Sequence, residues 1–380
     1  MISQIKGTIV NNLKNTIGWK TKRKIVVFSV DDYGNVRLDS SLARANMDAI
    51  GMKIYSRFDA LDTLETTDDL SALFEVLSSV KDKKGNSVVF TPFALPCNID
   101  FERMAAEGYE KYHYETLPKT YEKLEQLQPK AYSGTWKLWQ EGISKGLMKP
   151  QFHGREHLNL TLFNEKLKAK DTELLMALKN RSYTSISDDT YPTISSTAAF
   201  DFWLFKENEN FIPIIKDGLK KFEEVFGYSS DYFTPPVFNI HHSLFKTLKE
   251  NGIQYIDLGL MRKEHQGLNQ YKTEFNYTGK TTREGLKTIV RNVVFEPTEE
   301  RGIDWVAFAI KQIETAFRWN RPAIISSHRV NFCGHIEESN REKGLIALKK
   351  LVQEIVIKWP DVEFMAANEL GDLLKKINYV

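Results

Sequence analysis

Apolar positions along the chain follow two alternating patterns. Short runs rich in β-branched and aromatic residues give way to longer stretches in which apolar residues return every three or four positions. The short runs predict strands at Lys24–Asp32, Ser87–Ala94, Gln151–His157, Tyr183–Ser187, Tyr232–Val237, Gln254–Leu258, Thr288–Phe295, Ala323–His328 and Glu363–Ala366. In RGIDWVAFAIKQIETAFRW, Ile303, Val306, Ile310, Ile313 and Phe317 fall on one face of a helix, and Leu345, Leu348, Val352 and Ile355 do the same further on. Thr116–Gly146 reads as mostly helical with a break at Pro129, whose ring cannot continue a helix.

Strand–helix alternation without a Pro/Gly/Ser-rich linker, repeat or low-complexity tract predicts a single large α/β domain. Eight or nine strands at this spacing favour a (β/α) barrel over a flat sheet, because so long a sheet curls or closes. No GxGxxG follows the first strand, which removes support for a dinucleotide-binding sheet. The barrel domain is placed at 24–380, behind an N-terminal extension, 1–23, expected to be helical.

Charge and composition then narrow the class. With 42% hydrophobic and 27% charged residues, the 380-residue chain is ordinary for a globular protein. Its 52 basic and 50 acidic residues nearly cancel, giving no reason to expect nucleic acid or an anionic membrane as partner. No run reaches the roughly 18 apolar residues of a membrane span. The opening MISQIKGTIVNNLKNTIGWKTKRK lacks the continuous apolar core of a signal peptide, so a cytoplasmic location is expected. Cys97 and Cys333 are the only cysteines, which excludes a disulfide framework and a CxxC metal site.

The candidate chemistry lies at the strand ends, where barrel enzymes place it. The first strand ends in Asp31-Asp32, the third in FHGREHLN with His153 and His157, and the later segments in YFTPPVFNIHH and IISSHRVNF. Five of the eight histidines fall in these last three segments. A turn needs one aspartate, rarely two crowded at the end of a buried strand, since adjacent like charges raise one pKa unless a cation compensates. His153 and His157, four residues apart, can share an ion. One aspartate with two histidines makes a site with open coordination positions, the pattern of a catalytic metal, and leaves the other aspartate as a base.

These residues resemble the polysaccharide deacetylases of the NodB-homology, carbohydrate esterase family 4 type, within the glycoside hydrolase/deacetylase superfamily. The family's T-F-D-D-G is similar to Ser29-Val30-Asp31-Asp32-Tyr33-Gly34 and its H-[S/T]-x-x-H to His153-Gly154-Arg155-Glu156-His157. Its R-x-P-x-G region is similar to FTPPVFNIHHSLFKTLKENGIQYIDL and its L-x-H to Ser326-Ser327-His328. The resemblance covers roughly residues 24 to 375 in matching order. It implies a distorted (β/α) barrel and metal-dependent removal of acetyl groups from an N- or O-acetylated sugar or polysaccharide. Asp31 would be the catalytic base and His328 the general acid. Asp32, His153 and His157 would hold a divalent metal, Zn²⁺ first, with Co²⁺, Ni²⁺ or Mn²⁺ as substitutes. The Tyr33 N–H would support the oxyanion, and Asn98, Pro235, Pro236 and His241 would line the substrate site. Two departures stand out: Gly154 replaces the hydroxyl residue, and Thr234 replaces the arginine before the proline, leaving Arg155 or Arg329 to supply that charge.

Three other readings remain open at this level. HGREH satisfies H-x-x-E-H, an inverzincin-like metallopeptidase pattern with Glu156 as base, although Pro150 and Gly154 disfavour the helix it requires. Two histidines and a carboxylate also suit a mononuclear iron oxygenase, whose all-β scaffold conflicts with the alternation. A carbohydrate-binding relative without turnover is the third. Among lesser candidates, Glu296 after the seventh strand reads as a solvated strand-end acid.

Overall fold

A computed structural model describes residues 12–187, 191 and 193–375. Of the expected helical extension, residues 12–16 are helical and residues 1–11 lie outside the described part. Among the described residues there are thirteen strands: β1 Lys24–Tyr33, β2 Phe90–Ala94, β3 Cys97–Ile99, β4 Tyr114–Thr116, β5 Gln151–Phe152, β6 Tyr232–Phe233, β7 Tyr255–Asp257, β8 Met261–Gly267, β9 Gln270–Phe275, β10 Lys287–Ile289, β11 Val293–Val294, β12 Ala323–His328 and β13 Val362–Met365.

Eight of them form one parallel sheet in the order β10-β7-β6-β5-β2-β1-β12-β11. Taken in chain order from β1, this is the circuit of a (β/α) barrel, closed where β12 pairs with β1 and interrupted between β10 and β11. The fold is therefore a distorted, open (β/α) barrel. The interruption has a local cause: only residues 290–292 join β10 to β11, too few for the crossover that parallel neighbours require. β13 adds to the lower half of β1 through Lys24↔Val362 to Val27↔Met365.

Strand β1 is buried on both faces beyond Lys24, which explains its unbroken apolar run. Ile25 and Val27 join Phe93, Tyr232, Tyr255, Ile289 and Ile324 in the barrel interior, while Val26, Phe28 and Val30 belong to the larger core that includes the surrounding helices. The helix Ala367–Lys375 plugs one end of this interior with Leu370 and Leu374. Gly371 permits that approach, because a Cβ there would meet the Tyr255 ring at 2.6 Å.

The helical expectations hold at Trp305–Arg318 and Glu338–Lys358. Pro129 separates Leu117–Leu127 from a short helix that it starts itself. Several strands are shorter than expected. Gln151–His157 pairs only through Gln151 and Phe152, and Thr288–Phe295 splits at the barrel opening. Tyr183–Ser187 is a loop, tied to the segment after β1 by the Tyr183 N–H donating to the Arg37 carbonyl. The antiparallel hairpin β8–β9 was not foreseen, because its buried positions include Arg262, Glu264 and His265 and so hide the period-two pattern. Among the described residues no helix is long and apolar enough to cross a membrane.

Candidate metal centre

Strand β1 carries both acids to the end of the barrel, and a bulge makes them diverge. Its pairing with β2 shifts register between Val30 and Tyr33, and Asp32 takes a left-handed φ of 75°. A non-glycine residue there stores about 1–3 kcal/mol of strain, which persists only where its surroundings impose it. Both carboxylates are buried. Asp32 turns to the β5 side and Asp31 to the gap between β10 and β11.

On the β5 side, Asp32 Oδ1 lies 3.4 Å from His153 Nε2 and 3.2 Å from His157 Nε2. One ligand atom from each of the three falls within 4.8 Å of the others. His153 leaves the end of β5. His157 returns after a bend in which Gly154 adopts a φ of 111°, a conformation that L side chains rarely take. His153 Nδ1 lies 2.7 Å from the Thr234 carbonyl. A carbonyl only accepts, so Nδ1 carries the hydrogen and Nε2 keeps its lone pair. That Nε2 is buried and has no hydrogen-bond partner among the described protein atoms. An orphaned imidazole lone pair beside a carboxylate and a second imidazole is a donor set that fits a divalent cation.

On the other side, Asp31 is clamped by Arg291. Nη1 donates to Oδ2 and Nη2 to Oδ1, both at 2.7 Å. Arg291 also donates through Nε to Asp257 Oδ2 at 2.9 Å and through Nη2 to Thr234 Oγ1 at 3.1 Å. Asp257 in turn accepts from the hydroxyls of Tyr232 and Thr234, each at 2.6 Å. The charge that the sequence left to Arg155 or Arg329 thus comes from neither. Arg155 forks onto Glu156 at 2.6 and 2.8 Å and reaches Asp217, and Arg329 is sealed against Asp62 and Glu65. Arg291 occupies the three-residue link at the barrel opening, a place no motif marks.

His328, at the end of β12, faces the same cavity with its side chain 30% exposed. Its Nε2 is 4.0 Å from Asp31 Oδ2, and its Nδ1 is 2.7 Å from Glu296 Oε1. Glu296 is not a solvated acid. It is buried after β11 and held by Arg57 and by Asn331 Nδ2 at 2.8 Å. Burial acts to lower the His328 pKa, but the Glu296 carboxylate overrides it and pushes it up to about 9.

Several expected contacts are absent. The Tyr33 ring is buried edge-on to Trp139, so only its backbone N–H, the group expected to support the oxyanion, is left for that role. Asn98 braces the loop after β1, accepting from the Val36 N–H and donating to the Gly34 carbonyl, both at 2.8 Å. His241 packs against Phe202 and Phe205, away from the centre. With His242 and Glu264 it forms a second cluster of possible metal ligands, but Arg262 already neutralises Glu264 at 2.7 Å. Pro235 lines the cavity and Pro236 packs under Gly154. Phe58, Val237, Phe238, Arg37 and Thr197 complete the wall of a cavity of about 250 Å³. The first three were not anticipated; Arg37 had no signal beyond its place after β1.

No family model matches the chain, and no curated protein matches it. Among solved structures, a Parabacteroides distasonis protein assigned as a glycoside hydrolase/deacetylase shares 10% identity at a TM-score of 0.48, over 95% of this chain and 73% of that one. A Mycobacterium smegmatis protein assigned as a polysaccharide deacetylase shares 12% at 0.44, over 95% and 93%. A family 4 acetyl xylan esterase from Clostridium thermocellum, in complex with a cobalt ion, shares 11% at 0.36, over 92% and 91%. All three scores are below 0.5, so the fold is assigned from the strand order.

HGREH is a bend following a two-residue strand, not a helix, and Glu156 is locked onto Arg155. Both features oppose the metallopeptidase arrangement.

Proposed function

We propose that this chain is a metal-dependent hydrolase that removes acetyl groups from an N- or O-acetylated carbohydrate. The observation that supports it is the convergence of Asp32, His153 and His157 with Asp31 and His328 at one end of the barrel. Asp32, His153 and His157 would hold the cation, Zn²⁺ first, with Co²⁺, Ni²⁺ or Mn²⁺ as substitutes. When bound, the ion lowers the pKa of a coordinated water to about 7 and polarises the acyl carbonyl.

The chain's own groups do the rest. Asp31 takes the water's proton, with Arg291 fixing both of its oxygens so that it presents one geometry. His328, its Nδ1 held by Glu296, keeps a protonated Nε2 toward the cavity and donates to the departing amine or alcohol. The apolar wall of Phe58, Pro235 and Val237 excludes water from the acyl group.

Elemental analysis and acetate release, measured separately on the purified protein, test this. One divalent ion per chain with acetate released from acetylated sugars is expected. An ion without hydrolysis of any acetylated sugar would instead indicate a binding protein.

A further inference from the structure

Charge that nearly cancels over the whole chain is unevenly spread along it. Lys6, Lys14, Lys20, Lys22, Arg23 and Lys24 all precede the first acid, Asp31. In the same stretch Ile2, Ile5, Ile9, Leu13 and Ile17 recur at steps of three and four, the spacing of one helix face. Apolar residues at that spacing among cations without acids match a segment that lies on a membrane surface.

The described part of this segment is seated on the barrel by polar bonds. Residues 12–16 are helical. Asn292 Nδ2 donates to Asn15 Oδ1 at 2.8 Å, and Arg321 donates to the carbonyls of Asn15 and Thr16, both at 2.9 Å. Asn12 Oδ1 accepts from Trp319 Nε1 at 2.8 Å and from Arg318 Nη2 at 3.0 Å. The segment is thus fixed through Asn12 and Asn15, while Leu13 and Ile17 stay 58% and 50% exposed. Because the seat already orders this apolar pair, covering it needs little further ordering. Trp319 and Arg318, bonded to Asn12, are exposed as well. Glu363 and Asp361 take up Arg23 and Lys24, but Lys20 and Lys22 are exposed and form no salt bridge among the described residues.

We propose that this face docks on the surface of an anionic lipid bilayer. Leu13, Ile17 and Trp319 enter the headgroup region, and Lys20, Lys22 and Arg318 meet the lipid phosphates. Charge selects this occupant, since an uncharged apolar partner would leave the cations without counter-charge. Arg321 stands just before β12 and His328 ends it, so the face and the metal centre belong to opposite ends of one strand. The docked barrel therefore keeps its cavity open to water.

The full chain is sedimented with vesicles of phosphatidylcholine alone and of phosphatidylcholine mixed equally with phosphatidylglycerol, at low and high salt. Binding to the anionic vesicles only, weakened by salt, is expected. Lys20→Gln with Lys22→Gln is expected to weaken it about 25-fold, roughly fivefold for each charge. Leu13→Gln with Ile17→Gln is expected to weaken it more than about tenfold. All four positions are solvent-facing, so the variants should melt with the parent. No binding to the anionic vesicles, equal binding to both compositions, or binding that survives either pair of substitutions overturns the proposal. A dimer in solution that Leu13→Gln with Ile17→Gln dissolves assigns the face to a second copy of the chain and overturns it too. Acetate release enters none of these outcomes, so the docking face and the deacetylase reading stand or fall separately.

Discussion

Arg291 meets Asp31 edge to edge, with two parallel N–H···O bonds of 2.7 Å between residues 260 positions apart in the chain. The same guanidinium bonds to Asp257 and Thr234, so one buried cation orders the base and the neighbouring strand ends together. A planar fork can do this and a point charge cannot.

Arg291→Lys is therefore expected to keep the metal and lower kcat about 10- to 100-fold, because the base loses its fixed geometry. Arg291→Ala leaves Asp31 and Asp257 buried without a cation and is expected to cost about 3–5 kcal/mol of stability. Denaturant titration checks the second point, and an alanine variant as stable as the parent contradicts it.

Replacing His153 or His157 with Ala should abolish bound metal and acetate release together. At a metal concentration one hundred times its dissociation constant, the parent gains about 2.7 kcal/mol of stability. Thermal melts with and without a chelator should show that gain in the parent and not in either variant.

The His328 pKa of about 9 sets a pH dependence. Below that value the imidazole is protonated and able to donate, so activity through it is lost as pH rises past it. Its folded pKa is above the ordinary value of about 6.5, so its contribution to stability is complete below pH 6.5 and disappears as pH climbs through about 9. Glu296→Gln removes the carboxylate that holds the proton and should move the alkaline limb to lower pH. A cation at Asp32 repels the imidazolium, so the His328 pKa read by NMR should be lower in the metal-loaded protein than in the apo protein. Rate–pH profiles and histidine NMR titrations of parent and variant check both shifts, and an unmoved limb in the variant rules out the Glu296–His328 coupling.

Asp31→Asn is expected to retain the metal and lower kcat about 10²- to 10⁴-fold. Glu156→Gln should keep most of the turnover, because Glu156 serves Arg155, while losing stability from the weakened buried pair. The opposite pattern would restore the metallopeptidase.

Gly154→Ser, which places a hydroxyl residue inside HGREH, should lower metal affinity. The φ of 111° disfavours any side chain there, and a Cβ would lie 3.3 Å from the Glu156 carbonyl. A cost of about 1–3 kcal/mol, or a bend that moves His153 from His157, is expected. Metal titration followed by thermal melts checks it.

Much of the barrel could be read directly. β1 and the first half of β12 are apolar because both their faces are covered there, and the helix at Trp305–Arg318 repeats its apolar residues at helical spacing. The hairpin β8–β9 escaped because Arg262 and Glu264, buried as an ion pair, read as surface residues. Glu296 was misjudged for the same reason: Arg57, Asn331 and His328 allow it to be buried, and none is near it in the chain.

The sequence by itself determined the strand–helix circuit and which strand ends carry acids and imidazoles, because burial periodicity and chain order are local properties. The tertiary structure decided the partners. It assigned Arg291 to Asp31 and Glu296 to His328, and withdrew Arg155, Arg329 and Asn98 into bracing roles. The reason is physical. A buried charge must be met by whichever opposite group the fold brings within about 3 Å, and separation along the chain has no part in that selection.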